Sequence, residues 1–261
     1  MRLTCSHSLS RALRVMLPSM LLSTMALSAG PALAQTHAAT QYKINPPPSA
    51  ALNYVIEAKQ SGLNLQGNGV VQWKVGPQQY SVHSETTAQL FGKILDARSE
   101  GKIDSFGLAP AQYVQKRLRK DATTTTFNGD SKTITFSQSA QNYPIAGGEQ
   151  DRTSIVWQLA SVARAAPAKF TPGSEWKFFV AGENDAEPWT FKVIKREKIV
   201  TPKGEFNAVH VFRAPPADSQ GQKLDIWLAP SLEWYPVRLR FTDADGDYIE
   251  QSLETVAKAG S

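Results

Sequence analysis

Three aspartates, Asp243, Asp245 and Asp247, with Glu254 eleven positions after the first, place carboxylate oxygens at a spacing that calcium-binding loops use. The sixth position of such a loop has to be glycine for its sharp turn, and here it is Tyr248. Strand-like sequence flanks the stretch where helices would be needed, so it reads as a polar Asp-Gly hairpin. A zinc site needs three or four convergent ligands, and the histidines beyond residue 34 are His37, His83 and His210, with no cysteine beside them. No metal and no other cofactor is expected. A Ser-His-Asp hydrolase would assemble its members from distant positions, around His83 or His210. The sequence has no Gly-x-Ser-x-Gly elbow and no glycine-rich phosphate loop, so no catalytic residue is assigned.

Two further groups remain. The densest run of functional side chains is Glu149-Gln150-Asp151-Arg152-Thr153-Ser154. At the start of a helix such residues satisfy free backbone N–H groups, and Gln150, Asp151 and Arg152 are expected as a structural cap, with Arg152 clamped to a strand carboxylate. The aromatic residues Trp176, Phe178, Trp189, Phe191 and Trp227 form the other group. They could line a cavity for an apolar ligand or fill a solid core.

The elements that must position these residues are strands. Apolar residues alternate with period two at Val71, Trp73 and Val75, at Tyr80 and Val82, at Ile134 and Phe136, and at Trp176, Phe178 and Val180. The pattern continues through Trp189, Phe191 and Val193, through Leu224, Ile226 and Leu228, and through Val237, Leu239 and Phe241. Asn128-Gly129, Thr201-Pro202-Lys203-Gly204 and Asp245-Gly246 supply turns between them. About a dozen strands with short connections predict antiparallel neighbours. One segment differs: Ile155, Leu159 and Val162 recur at helical spacing within residues 150–164, between Gly147-Gly148 and Pro167. The expected fold is mainly β, an antiparallel curled roll or open barrel-like sheet, with one amphipathic helix covering its mouth or edge.

Residues 1–34 read as a Sec-type export signal cleaved after Ala34. Arg2, Arg11 and Arg14 precede an apolar run from Val15 to Gly30, and Ala32-Leu33-Ala34 offers small residues for cleavage. The run is too short and too interrupted to remain as a span, so no transmembrane segment is expected in the mature chain. Cleavage removes Cys5, the only cysteine, and three arginines, so the net charge falls from +5 to +2. That balance and the shortness of the basic run Lys116-Arg117-Leu118-Arg119-Lys120 argue against a nucleic-acid partner. Residues 35–50, ending in Pro46-Pro47-Pro48, are expected as a flexible tether, and 51–257 as a single β-rich domain.

Several segments resemble a bacterial exported family known as domain-of-unknown-function family 3108. They are the stretch from Ser99 to Tyr113, Gln150 to Ser154, Thr201 to Phe206 and, most specifically, Asp225-Ile-Trp-Leu-Ala-Pro-Ser-Leu-Glu-Trp-Tyr-Pro-Val-Arg238. The resemblance runs from about Tyr54 to Glu254. It implies a periplasmic β-rich protein and supplies no reaction and no catalytic residues. The function expected is therefore non-catalytic: a periplasmic protein holding a lipid or other apolar small molecule, or docking an envelope protein, in a β groove. An envelope hydrolase and a structural adaptor with a solid core are the alternatives.

Overall fold

The computed structural model describes residues 37–215 and 221–258, and the leader at 1–34 lies outside them. The alternating runs form a meander of long strands: β1 (Ala50–Gln60), β2 (Leu63–Val75), β3 (Gln79–Ala88), β4 (Gly92–Asp104) and β5 (Gly107–Arg117). Three shorter strands follow, β6 (Thr123–Asn128), β7 (Thr133–Phe136) and β8 (Ser139–Pro144), then the two-residue β9 (Gln150–Asp151). The helix α1 (Ser154–Ala165) leads into β10 (Glu175–Ala181), β11 (Ala186–Thr201), β12 (Gly204–Arg213), β13 (Lys223–Ala229), β14 (Tyr235–Thr242) and β15 (Tyr248–Lys258). That makes fifteen strands among the described residues, somewhat more than alternation alone reveals: β8 buries only Tyr143, and β9 has only two residues.

All fifteen belong to one sheet, in which each half of the chain meanders outward from a central pair. β1 and β15 form that pair, antiparallel from Ala50 opposite Lys258 to Lys59 opposite Tyr248. Only β9 and β10 run parallel. The sheet curls until its two wings touch. Thr125 on β6 donates to the Gly182 carbonyl at 2.7 Å, and Arg117 on β5 pairs with Glu183 at 2.7 Å. Register shifts in β1, β3, β4, β11 and β13 add local twist, which helps long strands bend into such a roll. Beyond the contact, β6–β8 lie over the outer face of β10. There Phe127, Ile134, Phe136 and Tyr143 pack on Phe179 and Ala181 as a second, smaller core.

The concave face belongs to α1. Every residue from Ser154 to Ala163 is buried, so the helix covers the sheet as expected but keeps no water-facing stripe of its own. Ile155, Trp157, Leu159 and Val162 pack in one cluster with Leu52, Tyr54, Trp73, Tyr80 and Leu108 of the sheet. Trp157 stacks on Trp73 at 4.5 Å, with Tyr235 edge-on at 6.2 Å. The polar residues of the helix find partners inside. Gln158 accepts from the Leu108 N–H and donates to the Phe106 carbonyl, and the Ser161 hydroxyl donates to the Trp157 carbonyl. The helix starts at Ser154, later than its flanking polar residues suggest, because Gln150 and Asp151 use their backbone in pairing with β10.

From His37 on, the segment expected as a flexible tether is part of the folded body. Residues 37–49 form a strap along the other side of α1, with Asn45 N–H donating to the Ser161 carbonyl and Thr40 N–H to the Gly147 carbonyl. Prolines lack an N–H but keep a carbonyl, and those of Pro47 and Pro48 accept from Trp73 Nε1 and Tyr235 Oη at 2.8 and 2.7 Å. Arg164, at the end of α1, donates to Asn45, Pro46 and Glu233 and so ties strap, helix and sheet together. Gly148 sits at φ +89°, and a Cβ there would strike the Thr40 carbonyl, which is why the strap can cross so closely.

Truncating the stacked ring at the centre should therefore cost a large share of the stability. Trp157→Ala is expected to destabilise the fold by about 3–5 kcal/mol, measured as the shift in a urea unfolding midpoint. A shift below 1 kcal/mol would mean that the helix is not packed as described.

Candidate functional site

Four of the five aromatic residues singled out in the sequence converge. Trp176 and Phe178 on β10 lie opposite Phe191 and Trp189 on β11, all facing the interior. They are packed rather than open. Phe170 stacks on Trp176 at 4.5 Å, Tyr42 of the strap meets Trp176 and Phe178 edge-on at 5.2 and 5.3 Å, and the buried Arg213 lies over Trp189 at 4.1 Å. Trp227 does not join them. It alternates with the buried Ile226 and Leu228, so it points outward and stacks on His210 at 4.4 Å. The groove expected for an apolar ligand is thus filled by α1 and the strap. Open clefts lie outside instead, one of about 590 Å³ between β4 and β5 that includes Lys93, Lys116 and Arg119 among its walls.

The residues expected as a cap separate into three roles. Asp151 Oδ1 accepts from the N–H groups of Thr153 and Ser154, both at 2.8 Å, at the start of α1. Its Oδ2 accepts from the Ser99 hydroxyl at 2.5 Å, which is itself 3.1 Å from the Tyr80 hydroxyl. Gln150 instead donates its amide to the Leu108 carbonyl at 2.6 Å. Arg152 is exposed and lies against Gly182, with no carboxylate partner among the described residues. These bonds sew the start of α1 to β4 and β5, where the roll closes. Complete burial pushes the Asp151 carboxyl up to about 6, against the lowering pull of Ser99 and the two backbone donors. A neighbouring pair fixes the strap: His37 bonds Glu149 at 2.7 Å and stacks on Phe179 at 3.7 Å. Burial alone would raise the Glu149 carboxyl, but His37 and the N–H groups of Ala146 and Gly147 outweigh it and hold it below the usual range.

The other two histidines lie on the outer face of the sheet, each between two carboxylates. His83 Nε2 is 3.2 Å from both Glu85 and Asp96. His210 reaches Asp225 through Nε2 at 2.6 Å and Glu197 through Nδ1 at 3.3 Å. Neither hydrogen-bonds a serine among the described residues, so the constellation that would signal a hydrolase is not assembled around them. The buried Ser99, Asp151 and Tyr80 do meet, but Ser99 and Asp151 have no exposed surface for a substrate to reach. His83, Glu85 and Asp96 bring three ligand atoms within 4.8 Å of one another. Lys93, at 2.6 Å from Glu85 and 3.3 Å from Asp96, and Arg98, at 3.3 Å from Asp96, already neutralise those carboxylates. A metal would have to displace Lys93. Asp243, Asp245 and Asp247 form a turn, with Asp243 N–H donating to the Asp247 carbonyl.

The model of a family described as "Protein of unknown function (DUF3108)" matches residues 53–254. The chain belongs to this family. The segment most specific to its resemblance, Asp225 to Arg238, is an anchor in the fold: Asp225 and Trp227 hold His210, Glu233 takes Arg164, and Tyr235 reaches the strap. No curated protein matches the chain. Among solved structures, it is similar to a β-barrel-like protein of domain of unknown function DUF1849 from Brucella abortus, at TM-score 0.55 and 11% identity, covering 82% of this chain and 99% of that one. It has weaker likenesses to a domain named for outer membrane lipoprotein sorting from Vibrio parahaemolyticus (TM-score 0.32, 10% identity, 82% and 86% covered) and to a LolA superfamily protein from Nitrosomonas europaea (TM-score 0.24, 12% identity, 84% and 90% covered). The first likeness is one of fold, and the other two, below 0.5, carry no functional weight.

Burial of Asp151 makes a signed prediction. Its carboxyl takes up a proton near pH 6 in the folded chain and near 3.8 when unfolded, so between those values the folded state holds the extra proton and stability falls as pH rises. The loss amounts to about 3 kcal/mol and is complete above the folded value. Asn keeps the acceptor for Thr153 and Ser154 and does not titrate. Asp151→Asn should therefore gain stability relative to the parent between pH 4 and pH 7, read from urea midpoints of both proteins. A difference that does not change with pH would contradict the assignment.

Proposed function

We propose that this is an exported, non-catalytic protein of the bacterial envelope that works from its outer surface, docking an envelope partner, while its own helix and strap fill the roll. The leader-like residues 1–34 support export to the periplasm. The observation that carries the rest is the burial of α1 on all sides. Ile155, Val156, Leu159 and Val162 together contribute about 6–12 kcal/mol by their burial, a magnitude comparable with the whole stability of a domain. An acyl chain of about 14 methylenes would return about 11 kcal/mol on taking their place. That gain only offsets the loss and leaves no surplus for the costs of binding. A ligand inside the roll is therefore disfavoured, and what the protein recognises must meet it from outside.

Native mass spectrometry of the protein purified from a bacterial host expressing the full chain tests this. The expected species begins at Gln35 and carries no lipid, and monomeric fatty acid leaves its melting temperature unchanged. A co-purified acyl lipid, or a rise of several degrees with fatty acid, would overturn the filled-roll reading and restore the groove as the binding site.

A further inference from the structure

Three hairpins that neighbour one another in the sheet carry apolar side chains at their tips. Leu63 is 63% exposed beside the β1–β2 turn, Leu90 and Phe91 are 80% and 52% exposed in the β3–β4 turn, and Leu118 is 39% exposed after β5. The strand order β5-β4-β3-β2-β1 sets these turns at the same end of the sheet. They are tight and cross-braced. Gln89 N–H donates to the Gln66 carbonyl, Phe91 N–H to Ala88, and Leu118 N–H to Ile94, while Ser61, Gly62, Gly92 and Arg119 take the left-handed conformation of sharp turns. Turns normally present Asn, Asp, Gly or Ser to water, and a Leu-Phe pair held out on a braced backbone calls for a surface to cover it.

The charge around the tips indicates which surface. Lys59, Lys93, Lys116, Arg117, Arg119 and Lys120 are all exposed close behind them. Lys93 and Arg117 have acidic partners, but Lys116, Arg119 and Lys120 form no ion pair among the described residues. The cleft of about 590 Å³ opens beside Leu118, with Lys93, Lys116 and Arg119 in its wall. Apolar tips with cations set just behind them reproduce the polarity of a bilayer rich in anionic lipid, where phosphates lie one step outside the hydrocarbon. The basic run 116–120, too short in the sequence to argue for a nucleic-acid partner, gains a role in this way.

We propose that the hairpin tips carrying Leu63, Leu90, Phe91 and Leu118 dock on the surface of a membrane containing anionic phospholipid, with Lys116, Arg119 and Lys120 on its phosphates. This rests on the reading that the protein works from its outside, and it names the partner. The test is co-sedimentation of the purified exported protein with vesicles of phosphatidylcholine alone or mixed equally with phosphatidylglycerol. Binding to the mixed vesicles, weakened by salt, is expected, with little on phosphatidylcholine alone. Leu90→Ser with Phe91→Ser, and separately Lys116→Glu with Arg119→Glu and Lys120→Glu, should each weaken binding at least about tenfold with the melting temperature unchanged.

Protein that stays in the supernatant with anionic vesicles at low salt would overturn the proposal. So would variants that bind like the parent, or a dimer in solution that the Leu90→Ser, Phe91→Ser variant abolishes, which would assign the tips to a second copy of the chain. Lipid-free protein that ignores vesicles overturns this proposal and leaves the filled roll standing. An acyl chain found inside the roll overturns that reading and not vesicle docking.

Discussion

A sheet that curls through fifteen strands needs something to occupy its concave side, and here that filling is a single helix with no water-facing side. Burial of α1 between sheet and strap is the interaction on which the other features depend. It explains why the strap is ordered, since the side of the helix turned from the sheet would otherwise face water. It also explains the small residues Ala160, Ser161 and Ala163 on a helix that is nowhere exposed, because small side chains allow close approach.

Burying a helix in this way leaves polar groups that must be satisfied, and the chain meets that need with a few long-range bonds. Asp151 and Gln150 secure the helix start to β4 and β5, Gln158 secures its middle, and Arg164 with Glu233 secures its end. Each bond joins segments far apart in sequence, so each is also a constraint on how the roll closes. What stays open to solvent lies outside as a result: His83, His210, the cleft and the apolar tips all lie on the convex face or at the rim.

Much of the fold is legible in the sequence because a strand with one buried face writes its alternation directly. Trp73 with Val75, Trp176 with Phe178, and Ile226 with Leu228 declare the same inner face that the structure shows. The same parity places Trp227 outside, so its grouping with the inner aromatics was avoidable. The all-round burial of α1 was not legible, since Ser154, Gln158 and Ser161 look like a solvated stripe until their partners at Asp151 and Phe106 and within the helix are known. The strap hid for a similar reason. Pro46-Pro47-Pro48 is extended whether it is tethering or docked, and only the positions of Trp73 and Tyr235 show its carbonyls in use. Leu90-Phe91 before Gly92 carried a signal that alternation does not reveal: an apolar pair where a turn should be polar.

Amide hydrogen exchange tests the filled roll most directly, because it reports how readily each segment opens. The amides of Leu159, Ala160 and Val162 should exchange only through global unfolding, with the same opening free energy as the central strands β1 and β15. Exchange of α1 and the strap by orders of magnitude faster, while β1 and β15 stay protected, would show a helix that leaves the groove readily and would contradict the account.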